Sequence, residues 1–116
     1  MIAFLQDQHA DDTNAVLNAL QNESLCLPPV VVTELLSDPI ASASIRHMIE
    51  RLPLLPLNEG FWSRAGQSRQ VLLRKGHKAR LGDALAAQPC IDHDVPLIAR
   101  DKDFRHFVKL CGLRLA

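Results

Sequence analysis

The strongest constraint on this chain is the way prolines and glycines cut it into short apolar runs separated by longer stretches with helical periodicity. Residues 10–22 open with acids and carry Ala15, Val16, Ala19 and Leu20 at helical spacing, which predicts a helix. Ser24–Leu27 is a brief apolar run halted by Pro28-Pro29, the mark of a buried strand. In VVVTELLSDP the β-branched run favours a strand. Pro29 at a first helical turn, with Leu35 and Leu36 extending the pattern and the pre-proline Asp38 stopping it, favours a helix, and the helix is preferred. Residues 40–51 predict a helix with Ile45, Met48 and Ile49 on one face, and Leu54–Leu57 a short strand. Residues 59–75 form the longest helix, with Phe61, Ala65 and Leu72 inward and Gly76 at its end. Residues 82–94 make another helix, kinked at Pro89. Pro96–Ala99 is a strand, 102–110 a helix closed by Gly112, and Leu113–Ala116 a last strand. Strands alternating with helices mean a parallel sheet covered by helices. The expectation is a three-layer α/β/α domain with a mostly parallel sheet, in which Leu25–Leu27, Leu97–Ala99 and Leu113–Leu115 are parallel strands.

A length of 116 residues predicts one domain, 1–116, and 47% apolar with 22% charged residues excludes a disordered chain. No apolar run approaches the ~20 residues of a membrane-spanning helix, and the start lacks the basic region of a secretory signal, so no membrane role is expected. Cys26, Cys90 and Cys111, without CxxC spacing, read as buried reduced thiols of a cytoplasmic protein. Five histidines without HxH or HxxxH pairs argue against zinc.

The net charge of zero hides a polarity. Residues 1–59 hold eight acids and two bases, net −6, and residues 60–116 five acids and eleven bases, net +6. From Gly60 to Gly82 there is no acid, while Arg64, Arg69, Arg74, Lys75, Lys78 and Arg80 crowd together. Such a chain can present an acidic and a basic pole; two solvated helix faces explain the pattern equally well.

In open α/β sheets chemistry sits beyond the carboxyl ends of the strands. Three acids fall there: Glu34, one helical turn past Ser24–Leu27; Asp83, at a helix start; and Asp101, directly after PLIA. Carboxylates converging from distant positions repel unless a cation lies between them, and oxygen ligands suit Mg²⁺ or Mn²⁺. Taken singly, each acid also fits a plain role: Asp83 and Asp101 as helix-start residues, Glu34 as a solvated one.

The run DALAA, about a dozen residues, PLIARDKDF and then CGLRL resembles the C-terminal half of the PIN-domain family, in which an Asp opens a DALIAA-like helix and a strand ends in LLTxDxDF. VVVTELL resembles the family's earlier Glu-bearing helix, and QVLLRKGHKARLGDALAA the stretch leading to its third acid, so the resemblance covers almost the whole chain. It implies a metal-dependent nuclease of the kind found as toxins in bacterial toxin–antitoxin pairs. Carried over by position, the catalytic and metal-binding acids are Glu34, Asp83 and Asp101, with Asp103 a helper, and the ion is Mg²⁺ or Mn²⁺. It also implies an RNA substrate, a cognate antitoxin and a homodimer. Arg64, Arg69, Arg74, Lys75, Lys78, Arg80 and Arg100 would steer and seat the phosphate backbone.

The chain departs from the family pattern in three places. Ala99 replaces the usual Thr or Ser, and Gln88-Pro89 interrupts a smooth helix. Most importantly, Met1–Leu5 resembles the stretch after the family's first strand and first Asp, which would lie roughly four residues before Met1. Asp7, Asp11 and Asp12 are poorly placed to substitute. The expectation is therefore a sheet short of its central first strand, with Met1 an internal residue of the family pattern, and weak or absent cleavage by residues 1–116. The alternative is a non-catalytic PIN-like module that engages an antitoxin or other protein through surfaces such as Ile40–Met48. A receiver-like or other small-ligand α/β domain ranks below both, because the chain has no glycine-rich phosphate loop.

Overall fold

The computed structural model describes residues 2–4, 25–99 and 101–116, with side chains for 25–99 and 102–116. The helix expected at 10–22 lies outside the described residues. Three strands, β1 (Ile2–Phe4), β2 (Leu25–Cys26) and β3 (Leu97–Ile98), stand in the order β2-β1-β3. Both pairings are parallel, with Ile2 opposite Leu25, Ala3 opposite Cys26 and Leu97, and Phe4 opposite Ile98. The middle of the sheet, where the sequence leads one to expect a gap, is thus filled by Ile2–Phe4. Ladder pairing uses main-chain groups, so a segment whose side chains resemble another part of the family pattern can still serve as a strand.

The two outer runs expected as strands each pair at one position only. Leu54 bridges Leu27 and Leu115 bridges Leu97, both in parallel. Around Leu54 the ladder cannot spread, because Pro53 and Pro56 have no N–H to donate; the run is held by Leu27 N–H to the Pro53 carbonyl and Leu55 N–H to that of Leu27, both 2.9 Å. At the other edge Leu97 N–H reaches the Arg114 carbonyl at 2.9 Å and Ala116 N–H that of Leu97 at 3.0 Å.

The helices are α1 (Pro29–Leu36), α2 (Ala43–Arg51), α3 (Phe61–Arg74), α4 (Leu81–Asp92) and α5 (Asp101–Cys111). Proline at its first turn lets α1 form despite three consecutive valines, and the i, i+4 pair Val31 and Leu35 is buried. Ser42 caps α2 by accepting from Ile45 N–H at 3.2 Å, which is why that helix begins later than residue 40. At the end of α3, Gly76 adopts φ 79°, a left-handed value that glycine tolerates, and the N–H groups of Gly76 and His77 bond the carbonyls of Leu73 and Leu72. α4 contains Pro89 yet continues to Asp92, where a turn with Asp94 at φ 52° leads to β3.

α1 packs on α2 and α4, and α3 packs on α4 and α5. Phe104 and Phe107 from α5, Leu72 from α3, Val31 from α1 and Leu27, Leu97, Ile98 and Leu113 are essentially sealed from water. No described helix is long and apolar enough to cross a membrane.

Candidate metal and nucleic-acid site

Packing of α1 on α4 brings Glu34 against the residue that precedes Asp83. Glu34 lies in the second turn of α1, and its Oε1 is 3.1 Å from where a Cβ on Gly82 would stand. A glycine at that position leaves room for the carboxylate against the first turn of α4, and the next residue is Asp83. Burial pushes the Glu34 carboxyl above its ordinary range. Repulsion between clustered carboxylates also predicts such a rise from the sequence, but desolvation is its cause here. Asp83, in the first turn of α4, faces a cavity of about 420 Å³ that it shares with Asp103, Lys78, Arg80, Lys102 and Arg105. An acid at that turn also complements the positive end of the helix.

Asp101 opens α5 directly beyond β3, at the carboxyl end of a parallel strand, but its side chain lies outside the described residues. Asp103 is exposed on the next half-turn. Among the described residues no three of His, Cys, Asp and Glu stand together as a ready-made metal group.

The predicted bases divide. Lys78 and Arg80 line the cavity with Asp83, and Lys75 lines an adjoining one. Arg64 does not: its Nε and Nη2 donate to the two carboxylate oxygens of Asp92 at 3.0 and 2.7 Å, and its Nη1 to the Glu59 carbonyl at 2.6 Å. These bonds give Arg64 a structural role, tying α3 to α4. Arg69 donates to the Ala79 carbonyl at 2.8 Å and flanks an apolar hollow with Trp62 and Leu73. Arg74 is exposed at the end of α3, and Arg100 lies outside the described residues. Lys102, Arg105, His77 and His106 line the cavity without having been singled out from sequence. Their signal is weak in one dimension, since Lys102 and Arg105 are simply i, i+3 neighbours on the polar side of α5.

The cysteines offer no nucleophile. Cys90 and Cys111 are free thiols, and burial together with neighbouring Cys26 pushes Cys90 up to about 12.

No curated protein matches this sequence at a significant level. Among solved structures, the chain is similar to the crystal structure of VapBC-5, a member of the VapBC family of toxin–antitoxin systems from Mycobacterium tuberculosis. The TM-score is 0.61 at 19% identity, over 78% of this chain and 79% of that one, a likeness of fold. A model of the PIN domain matches residues 1–110. With that match over nearly its whole length, the chain belongs to the PIN-domain family.

Proposed function

We propose that this protein is a metal-dependent endoribonuclease of the toxin type, its sheet mostly parallel within a three-layer α/β/α domain. The observation that carries the reading is the meeting of α1 and α4, which sets the Glu34 carboxylate against Gly82, the residue before Asp83. The donors are carboxylate oxygens, the ligand type a hard divalent ion such as Mg²⁺ or Mn²⁺ takes. In this reading Glu34, Asp83 and Asp101 hold the ion and Asp103 assists. When bound, the ion polarises a phosphate and makes a coordinated water acidic enough to attack it. Lys78, Arg80, Lys102 and Arg105 line the cavity that Asp83 faces and hold the backbone in place for that attack.

A cognate antitoxin and a second copy of the chain are the partners this reading implies. Ile40, Ile45 and Met48 are exposed on the segment leading into and along α2, apolar area suited to a protein partner.

The test is cleavage of several single-stranded RNAs in Mg²⁺ or Mn²⁺, with and without chelator. On this reading cleavage is expected, abolished by chelator and by Asp83→Asn. Cleavage that survives both treatments would point to a contaminating nuclease. Its absence on every RNA would favour the non-catalytic module that binds a protein partner.

A further inference from the structure

His77, in the connection after α3, and His106, on α5, stand twenty-nine residues apart in the chain. Their rings stack at a centroid distance of 3.6 Å with an interplanar angle of 11°. Both are half-buried, and both line two adjoining cavities. One, of about 440 Å³, is completed by Lys75, Lys109 and Leu110. The other is the cavity of Asp83 and Asp103. Among the described residues, the charged groups facing the stack are thus Lys75, Lys78 and Arg80 from the α3–α4 connection, Asp83 from α4, and Lys102, Asp103, Arg105 and Lys109 from α5.

Among the described residues, six cations against two acids is a surplus of positive charge. Two ion pairs are present among the described residues, Arg64 with Asp92 and Arg114 with Asp94, and neither uses any of the six. Desolvation, then the charges of His77, Arg105 and Lys109, hold the His106 imidazolium back, as expected where positive charge is uncompensated. A neutral imidazole beside ammonium groups offers an N–H donor and fixed charge together, a combination that suits phosphate oxygens. The cations spread over two cavities joined at the stack, whereas a single free phosphate would fill one. A chain of regularly spaced phosphates matches that spread.

We propose that His77, His106, Lys75 and Lys109 form a seat for a backbone phosphate of single-stranded nucleic acid, beside the stretch of the strand that reaches Asp83. The seat rests on the nuclease reading for its place in the substrate path, but it binds without metal and without cleavage. It can therefore be measured in chelator, by fluorescence anisotropy with a labelled RNA of about ten nucleotides and a DNA of the same sequence. The wild-type chain is compared with Lys75→Gln/Lys109→Gln and with His106→Gln, and circular dichroism checks that each is folded. Both lysines are exposed, so the double variant should fold normally.

For the double variant the dissociation constant should rise roughly tenfold at low salt, and the slope of log affinity against log salt should shrink by about 1.4, or ~0.7 for each lost contact. His106→Gln should weaken binding by a smaller factor with little change of slope. Unchanged affinity and slope in the double variant would overturn the proposal. So would an acidic peptide binding in place of RNA and DNA, or inorganic phosphate alone showing the dependence on Lys75 and Lys109. If the slope change appears while the wild-type chain cleaves nothing, the nuclease reading fails and the seat stands; if cleavage occurs with an unchanged slope, the seat fails and the nuclease reading stands.

Discussion

The two ends of α3 handle charge in opposite ways. Near its start, Arg64 meets Asp92 through both carboxylate oxygens, Gln88 Nε2 adds a third bond to Asp92 at 2.8 Å, and Ser68 closes the chain by donating to Gln88 Oε1 at 2.6 Å. Every polar group in that set has a partner, and the buried Gln88 amide sits at its centre. Beyond the other end, Lys75, Lys78 and Arg80 stand among further cations with no carboxylate forming an ion pair to them among the described residues. Satisfied polar groups lock α3 to α4. Like charge gathered without ion-pair partners works against the compact state through self-repulsion and is available to a ligand. A cluster of bases in sequence is therefore not one feature here but two.

The contrast is sharpest in the response to truncation. Asp92→Ala should lower stability by about 2 kcal/mol in urea melts, because it removes the acceptor of Arg64 Nε and Nη2 and of one donor of a buried amide. Burial pushes the Asp92 carboxyl up, but hydrogen bonds from Arg64 and Gln88 and the charges of Arg64 and His93 outweigh it, so the group titrates below the ordinary carboxylate range. Its contribution is therefore complete above the unfolded value of 3.8 and fades as pH falls through the folded one. The gap between wild type and Asp92→Ala should close in that acid range; a gap of constant size would show that packing and not the ion pair is responsible.

At the cationic end the pH effect has the opposite origin. A histidine whose folded form resists protonation takes its proton first in the unfolded chain. Stability should begin to fall as pH drops through the ordinary value of 6.5, and level off once the folded ring is also charged. His106→Gln should flatten this part of the stability curve, while Asp92→Ala should leave it in place. Gly82→Ala probes the proposed acidic site. Helix propensity favours alanine by up to ~1 kcal/mol, offset by a Cβ at 3.1 Å from Glu34 Oε1, so the melting temperature should barely move. Because the carboxylate must give by a few tenths of an ångström, Mg²⁺ should, on the nuclease reading, stabilise the variant slightly less than the wild type in thermal melts. Lys109→Gln should have the smallest effect on stability, within ~0.5 kcal/mol and toward stabilisation; a clear loss would reveal a structural partner for that ammonium group.

Local rules made much of the fold legible. Pro29 overrode three valines because proline fixes the first helical turn while β-propensity depends on a neighbouring strand. Gly76 and Gly112 end their helices at left-handed φ, as their positions in the sequence imply. What was not legible depends on contacts across the fold. That Arg64 would be occupied by Asp92 follows from how α3 crosses α4, and no spacing rule carries that. The His77–His106 stack joins a loop to a helix far along the chain, so a search for paired histidines in sequence passes it by. The strand role of Ile2–Phe4 rests on main-chain pairing with both neighbours, which side-chain resemblance does not report.

The single-position bridges at the two sides of the sheet have a consequence for how copies of this protein behave toward one another. A strand edge that runs free for several residues is a template on which another chain can add itself, and that addition is the first step of sheet-driven aggregation. Here Leu27 on one side and Leu97 on the other already give hydrogen bonds to a neighbouring stretch of the same chain. Those stretches are themselves poor templates: one is flanked by prolines, and in the other Arg114 reaches back to Asp94 through its side chain at 2.9 Å. The sheet is in effect sealed by segments too irregular to continue it, so crowding at high concentration should bring molecules together through side-chain surfaces and not by growth of the sheet.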